Sequence, residues 1–222
     1  MPSDRTEAVE RALSILQAFS NDYTRMTLTQ LANETGLHKS TVLRLTNSLA
    51  IYGFIQRDSA GRFSVGPSVW RLGMLFRRNF LTRETVAPAL NALVEATGET
   101  ASFYVLAEDQ RVCLYRQVSP HVVRVHGEEG IRLNLSTGAS GRVLYHFSTG
   151  GTLPAEGFTA AGSVHSVGET IPDISSIATP VFSKVGELLG ALVVSGVRTR
   201  FTEEVRNKAI PILERVACSL RE

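Results

Sequence analysis

The residues best suited to a chemical role lie in the run HKSTVLRLTNSLAIYG at positions 38–53. Helical spacing places the mainly apolar residues of this run on one face, which is Val42, Leu45, Thr46 and Leu49. Ser40, Arg44 and Asn47 therefore point the other way, with Lys39 and Thr41 in the first turn. Arginine can pair with guanine O6 and N7 and asparagine with adenine N6 and N7, whereas serine, threonine and lysine bind phosphates. The pattern predicts a helix that reads the major groove of DNA.

The segment before this helix predicts the elements that position it. Residues 6–19 form an apolar stripe at helical spacing, opened by Thr6 as N-cap. A second helix is predicted over Leu28–Thr35, where Thr27 and Gln30 have the spacing of a capping box. Gly36 ends it, because glycine takes the left-handed conformation without strain. Helix, tight glycine turn and helix constitute a helix-turn-helix.

A β-hairpin is predicted directly after the reading helix. Residues 54–57 and 62–65 are extended runs around the turn Asp58-Ser59-Ala60-Gly61, and Arg57 and Arg62 bracket that turn. Three helices and a hairpin make a winged helix, in which these arginines would follow the phosphate backbone. Winged helices also bind proteins, and an exposed polar helix face is often simply solvated. Arginine on both the helix and the wing favours DNA.

The charge distribution agrees with this interpretation. Residues 1–80 hold ten basic and six acidic residues, whereas residues 81–222 hold thirteen basic and fifteen acidic ones. A basic N-terminal part on a mildly acidic body is compatible with nucleic-acid binding.

The same stretch resembles the DNA-binding domain of the isocitrate lyase regulator (IclR) family. The resemblance runs through RALSILQAF, LTQLANETGLHKSTVLRLTNSLAIYGFIQRD and GRFSVGPSVWRLG, and GLHKSTVLRL is its most distinctive part. His38 departs from the family, which often has proline or serine there. The resemblance implies double-stranded promoter DNA as partner. It also implies a linker helix that pairs with a second subunit, giving a homodimer or homotetramer.

The remainder of the chain has an α+β pattern. Helices are predicted over 86–97, after the segment 136–141, and from Thr202 to the end. Strands are predicted over 100–107, 111–118, 121–126, 176–182 and 188–197. Residues 148–168, rich in glycine and proline, are predicted to be a loop. In the final helix the expected buried face is Val205, Ala209, Ile212, Leu213, Val216 and Leu220.

Gly138 and Ala139 precede or open a helix, so their backbone N–H groups are expected to be free to bind a carboxylate. LSTGASGRVL resembles the family's pocket loop, and GETIPDISSIATPVF with ELLGALVVSG resembles its C-terminal signature. The resemblance implies a GAF-like effector domain that binds a small carboxylate or aromatic acid. The effector residues it implies are Gly138, Ala139, Ser166, Ser176, Val193 and Ser195.

Two of these positions depart from the family and a third, Ser176, varies within it. Ser176 stands where many relatives have cysteine, Ser166 falls near a position that is often acidic, and Val193 replaces a frequent serine. The stretch between the pocket helix and Glu169 is also short, since relatives commonly have another helix there. Phe103, Tyr104, Tyr115, Leu133 and Leu135 are further candidates for the cavity wall, although core packing explains each of them equally well.

The sequence holds no GxSxG, HExxH or P-loop motif, and no GxGxxG in a strand–helix context, so we expect no enzyme. His126-Gly127-Glu128-Glu129 could bind a metal, but a solvated loop is the commoner explanation, and neither metal nor cofactor is expected. Cys113 and Cys218 lie far apart, which favours a reducing, cytoplasmic setting. No apolar run approaches the ~18 residues of a membrane helix, so no membrane partner is expected.

The sequence thus predicts a two-domain α+β regulator. Residues 1–66 would form the winged helix-turn-helix, 67–82 the linker helix and 83–222 the GAF-like effector-binding and oligomerisation domain. Two alternatives remain: a winged-helix regulator that binds a protein and never DNA, and an enzyme in the C-terminal domain.

Overall fold

A computed structural model describes residues 5–20, 22–77, 81–153 and 155–220. The chain divides into two compact units, Met1–Asn79 and Phe80–Glu222. Residues 78–80 of the predicted linker helix 67–82 lie outside the described residues. Within the described residues, none of the helices combines the length and the apolar character that crossing a membrane requires.

The described part of the N-terminal unit contains four helices and a two-stranded hairpin. Its elements are α1 (Glu7–Gln17), α2 (Leu28–Thr35), α3 (Lys39–Ile51), β1 (Ile55–Arg57), β2 (Phe63–Val65) and α4 (Pro67–Arg77). The strands β1 and β2 pair antiparallel, from Ile55 opposite Val65 to Arg57 opposite Phe63. The winged helix-turn-helix predicted from the sequence is confirmed.

Local signals set the ends of the helices in this unit. Thr27 Oγ1 accepts the Gln30 backbone N–H at 3.2 Å and the Gln30 side chain accepts that of Thr27 at 2.8 Å, so the capping box is complete. Gly36 ends α2 at φ 68°. The unit packs around one apolar cluster, which is Ile15, Met26, Leu31, Ala32, Val42, Ile55 and Phe63.

Met26 adds a contact to the wing that the sequence pattern does not indicate. Its backbone N–H and C=O both bond to Phe63, at 2.8 and 2.7 Å. The segment before α2 therefore pairs with β2 through one residue and ties the wing to the helix-turn-helix.

The C-terminal unit is one antiparallel sheet with helices on both faces. Its elements are α5 (Arg83–Thr97), β3 (Thr100–Ala107), β4 (Gln110–Gln117), β5 (Arg132–Asn134), α6 (Ala139–Ser148), β6 (Val164–Val167), β7 (Ile174–Phe182), β8 (Leu188–Val197) and α7 (Glu203–Ser219). The strand order is β5-β4-β3-β8-β7-β6. This arrangement confirms the α+β prediction.

Successive side chains of a strand point to opposite faces of the sheet, and this alternation separates two apolar cores. Phe103 and Val105 belong to the cluster shared with α5 and α7. Tyr104, which lies between them in β3, belongs to the cluster shared with Val143 and Leu144 of α6. The α6 face of the sheet is therefore distinct from the face covered by α5 and α7.

One strand prediction and one loop prediction are wrong. Residues 121–126 form bends and irregular chain, because their polar groups bond to side chains instead of a neighbouring strand. Thr100 Oγ1 bonds to the Val125 carbonyl at 3.3 Å and Arg124 bonds to the His121 carbonyl at 3.0 Å. The strand beside β4 is β5, which begins eleven residues after the start of the predicted strand. The predicted loop 148–168 contains an edge strand, β6. With four residues it is too short to show a clear alternation of apolar and polar side chains.

The buried face of α7 also differs from the prediction, and the predicted Ile212 and Val216 are only half-buried. Val205 is exposed, whereas Arg206 is buried and lies on the stripe with Ala209, Leu213 and Ala217. The Arg206 guanidinium donates to the Phe201 carbonyl at 2.7 Å, and burial lowers the pKa of Arg206. A hydrophobic pattern misses this residue because a backbone carbonyl satisfies its charge-bearing group.

Candidate functional site

The outer face of α3 presents the side chains predicted to read DNA. Ser40, Arg44 and Asn47 are exposed at i, i+4 and i+7, and Lys39 is exposed beside them. Thr41 is half-buried. On the inner face Val42 and Thr46 are fully buried, whereas Leu45 and Leu49, also predicted there, are only half-buried. His38 makes no side-chain cap hydrogen bond at the start of the helix.

The wing arginines are held by contacts within the wing. Arg57 Nε donates to the Gly61 carbonyl at 3.2 Å, and the guanidinium lies 5.2 Å from the centre of the Phe63 ring. Arg62 Nε pairs with Asp58 Oδ2 at 3.0 Å. The hydrogen bond from the Arg62 backbone N–H holds the pKa of Asp58 below its usual value. Asp58 therefore partly neutralises the charge that Arg62 would offer to a phosphate.

A second candidate site is a cavity of about 120 Å³ between α6 and its face of the sheet. All six residues that the sequence suggested for an effector line it: Gly138, Ala139, Ser166, Ser176, Val193 and Ser195. Three of them form one row, because Ser166 lies opposite Ser176 on neighbouring strands and Ser176 lies opposite Ser195. Strand register thus brings together side chains that are up to 29 positions apart in the sequence.

The backbone N–H groups at the start of α6 are not free, contrary to the sequence-based expectation. The Gly138 N–H donates to Glu169 Oε2 at 2.8 Å and the Ala139 N–H donates to Ser166 Oγ at 3.0 Å. Ser166 Oγ in turn lies 2.8 Å from Ser176 Oγ. A carboxylate does occupy the helix N-terminus, as the dipole favours, but it belongs to this chain. The sequence reasoning missed Glu169 because a loop contact has no period.

Gly138 is required at its position by both conformation and space. Its φ of 78° and ψ of 158° lie in a region that essentially only glycine occupies. A Cβ built there would lie 2.7 Å from Thr170 Oγ1 and 3.2 Å from Arg111 Nη2. The close approach of Arg111 and Thr170 is possible only because this residue has no side chain.

Two arginines that the sequence reasoning did not select, Arg111 and Arg116, also line the cavity. Arg111 is only 2% exposed, and its Nη1 donates to the carbonyls of Asn134 and Thr137, the latter at 2.5 Å. Arg111 Nε is buried and has no hydrogen-bond partner in the described part of the chain. Burial lowers the pKa of Arg111, and the charge of Glu169 opposes that effect.

Arg116 is the other arginine, and its contacts are with neutral oxygens. Its Nε donates to Ser102 Oγ at 3.0 Å and its Nη2 to Tyr104 Oη at 2.8 Å. Burial raises the pKa of Tyr104, so this phenol stays protonated. The signal that could have found Arg111 and Arg116 is their place on β4, where they flank the apolar run 112–115.

The further candidates for the cavity wall divide by strand face. Tyr104 and Leu133 line the cavity. Phe103 and Tyr115 lie in the core shared with α5 and α7 instead, and Leu135 packs against the α6 core without lining the cavity. One residue of offset along a strand decides the difference between Phe103 and Tyr104.

The segment 126–129 is held by ion pairing and hydrogen bonding. The Glu129 carboxylate pairs with Arg83 and accepts the Arg116 backbone N–H at 2.9 Å. His126 lines the cavity wall. Across the described ranges, no three His, Cys, Asp or Glu side chains are grouped so as to hold a metal ion.

Comparison with known proteins covers both units. Residues 8–59 match the model of the IclR helix-turn-helix domain, and residues 158–221 match that of the bacterial transcriptional regulator IclR C-terminal domain. Together they span just over half of the chain. The chain is 28% identical over 222 residues to the HTH-type transcriptional regulator BhcR of Paracoccus denitrificans, an alignment that covers 88% of this chain and 79% of that protein.

Solved structures show the same fold over nearly the whole chain. A crystal structure of an IclR transcriptional regulator from Silicibacter sp. TM1040 is 25% identical with a TM-score of 0.71, covering 96% of this chain and 94% of that one. An IclR homolog from Microbacterium hydrocarbonoxydans, complexed with 4-hydroxybenzoate, is 19% identical with a TM-score of 0.74, covering 97% and 98%.

Proposed function

The chain belongs to the IclR family of bacterial transcriptional regulators, and from this premise we propose which residues bind its promoter and which bind its effector. It is a DNA-binding transcriptional regulator with an effector-binding C-terminal domain, and not an enzyme. We assign DNA binding to residues 1–66, subunit pairing to the helix in 67–82 and effector binding to 83–222. Because its partner is promoter DNA, we place it in the cytoplasm.

The observation that carries the DNA assignment is the division of α3 into two faces. Its inner face is buried in the apolar core, which fixes the helix, and its outer face leaves Ser40, Arg44 and Asn47 exposed in one line. Arg44 would read a guanine and Asn47 an adenine, with Ser40 and Thr41 beside them. Phosphate contacts would come from Lys39, Arg57 and Arg62.

The charge of the cavity supports an anionic effector. Among the described residues, its lining includes Arg111, Arg116 and His126 but no aspartate or glutamate. The remaining wall combines apolar side chains, such as Ile174 and Val193, with the serine row. A small carboxylate with an apolar body fits this lining, since the wall offers both positive charge and apolar contact. The 4-hydroxybenzoate in the structure from Microbacterium hydrocarbonoxydans is a ligand of this chemical class.

The surface of α4 supports a homodimer or homotetramer. Val69, Trp70, Leu72 and Leu75 are all exposed on this helix, and Trp70 is 69% exposed. Apolar side chains concentrated on one exposed helix indicate an interface. Pairing of two subunits would also present two reading helices to a palindromic site, as a single helix contacts too few bases.

Leu72→Glu is expected to weaken self-association by about 100-fold or more, because an unpaired carboxylate would be buried at the interface. Sedimentation velocity across a concentration series measures the change. Arg71→Glu is the matched control, since it places the same side chain on an already charged position of α4. An unchanged association constant for Leu72→Glu would exclude this face as the interface.

Asp58→Asn is expected to tighten duplex binding and to steepen its salt dependence by up to about one unit of logarithmic slope, as Arg62 is freed for one more phosphate. The asparagine Oδ1 can still accept the Ala60 and Arg62 backbone N–H groups, so the turn persists. Asp22→Asn makes the same charge change away from the wing and controls for net charge. Equal slopes for Asp58→Asn and wild type would rule out an Arg62 phosphate contact.

Duplex binding itself is tested by fluorescence anisotropy with the DNA upstream of the protein's own coding region and a scrambled duplex of the same composition, over a salt series. We expect preferential binding to the native duplex that weakens with salt. Absence of binding to either duplex would contradict the proposal and favour a winged-helix regulator that binds a protein instead.

A further inference from the structure

The loop between β6 and β7 contacts the N-terminus of α6 through one side chain. This loop, residues 168–173, contributes Thr170 and Ile171 to the cavity lining. Its Glu169 carboxylate accepts the Gly138 N–H at 2.8 Å. The side chain of Glu169 remains 36% exposed, so its carboxylate is not locked into the protein interior.

The contacts of Glu169 are few for a charged group. Besides the Gly138 N–H, its other oxygen lies 3.9 Å from Arg142 Nη1, longer than a hydrogen bond. Arg142 Nη1 itself donates to the His165 carbonyl at 3.2 Å. Glu169 is therefore held mainly by one backbone donor and the positive end of α6, an interaction that another carboxylate can reproduce.

Arg111 provides an independent sign that an anion belongs at this position. The guanidinium is buried, lies against Gly138, and has an Nε atom without a hydrogen-bond partner among the described residues. No carboxylate lies within 4 Å of it in that same part of the chain. Glu169 acts on this guanidinium only from beyond ion-pair distance. Burial of a guanidinium is costly, and that cost falls further when an anion comes closer.

We propose that Glu169 is an internal competitor for the effector, whose carboxylate replaces that of Glu169 on the Gly138 N–H and gains the charge of Arg111. This rests on the proposed function of the cavity as the effector site and adds a mechanism of selection. The position accepts one carboxylate at a time, so a ligand must outcompete Glu169 to enter. A neutral analogue of the same shape has no such exchange to make.

The test is isothermal titration calorimetry of the full chain with benzoate and with benzamide. Glu169→Gln removes the charge of the competitor while keeping an oxygen that can accept the Gly138 N–H. We expect it to bind benzoate about tenfold more tightly than wild type, because a charge-assisted bond no longer has to be broken. Benzamide affinity is expected to change by much less.

Glu187→Gln is the matched control, since it makes the same charge change at an exposed position in the turn between β7 and β8. We expect wild-type affinity for benzoate in this variant. A variant of Arg111 is less informative, because Arg111 also holds the carbonyls of Asn134 and Thr137.

Two results would overturn the proposal, and they differ in what else they affect. If wild type binds benzoate and Glu169→Gln binds it equally or more weakly, Glu169 is not a competitor, while the cavity remains the effector site. If none of the three proteins binds benzoate at millimolar concentration, the proposal fails together with the carboxylate class of effector. The duplex-binding measurement then tests DNA binding on its own.

Discussion

Arg44→Ala is expected to weaken binding to the native duplex by about 1–3 kcal/mol and to relax the base preference at one position of the site. Arg44 lies in the middle of the exposed face of α3, between Ser40 and Asn47. Its removal leaves the helix in place, because the buried face that anchors α3 is formed by Val42 and Thr46. Anisotropy with duplexes substituted one base pair at a time measures both effects.

Lys39→Ala is the matched control for this experiment. Lys39 is exposed in the first turn of α3 and is assigned to a phosphate. Its loss should weaken binding to all duplexes alike and reduce the salt dependence by about one unit of logarithmic slope. If Arg44→Ala also weakens binding to every sequence equally, Arg44 contacts the backbone and does not read a base.

Gly138→Ala is expected to lower the free energy of unfolding of the C-terminal unit by about 1–3 kcal/mol, because alanine is strained at the backbone conformation of this residue. The added Cβ also crowds Thr170 Oγ1 and Arg111 Nη2. Since Gly138 carries the N–H proposed to bind the effector, the same change should abolish benzoate binding. Differential scanning calorimetry and titration calorimetry measure the two effects.

Gly130→Ala separates the loss of stability from the loss of benzoate binding. Gly130 also has a positive φ, of 87°, but a Cβ there would meet no atom within 4 Å. It should lose stability without losing benzoate affinity. Gly138→Ala combined with Thr170→Ala removes one crowded atom and should recover part of the stability. If Gly138→Ala is as stable as wild type, the conformational requirement at this residue is wrong.

The helices of the N-terminal unit follow closely from the sequence, because their determinants are local. The capping box of Thr27 and Gln30 and the terminal Gly36 act within one or two turns of helix. The strands of the wing are equally local, since a four-residue turn joins them. Met26 is the exception: its pairing with Phe63 joins residues 37 positions apart and leaves no trace in the local pattern.

The site in the C-terminal unit follows from the sequence only in part. The six suggested residues line one cavity, and strand register places Ser166, Ser176 and Ser195 in one row. The polar groups that set the electrostatics, Arg111 and Glu169, were not found. The role of Arg111 depends on its strand face, and that of Glu169 on a loop contact with Gly138 across 31 positions. Neither hydrophobic period nor motif spacing encodes these two features.

The buried charges explain why the hydrophobic pattern failed where it did. Arg206 in α7 and Arg111 in β4 are both buried, and each donates to backbone carbonyls. The misplaced strand at 121–126 has a different origin. Its backbone groups bond to side chains such as Thr100, and a propensity scale has no means to anticipate such bonds.

The most direct test of the account is the affinity for the upstream duplex measured by anisotropy with and without a panel of aromatic and short aliphatic carboxylates. A regulator whose cavity senses an anion must couple the two ligands, and we expect at least one carboxylate to change the dissociation constant of the duplex by about 5- to 150-fold. Specific duplex binding that stays constant with a carboxylate shown by calorimetry to occupy the protein would contradict the account.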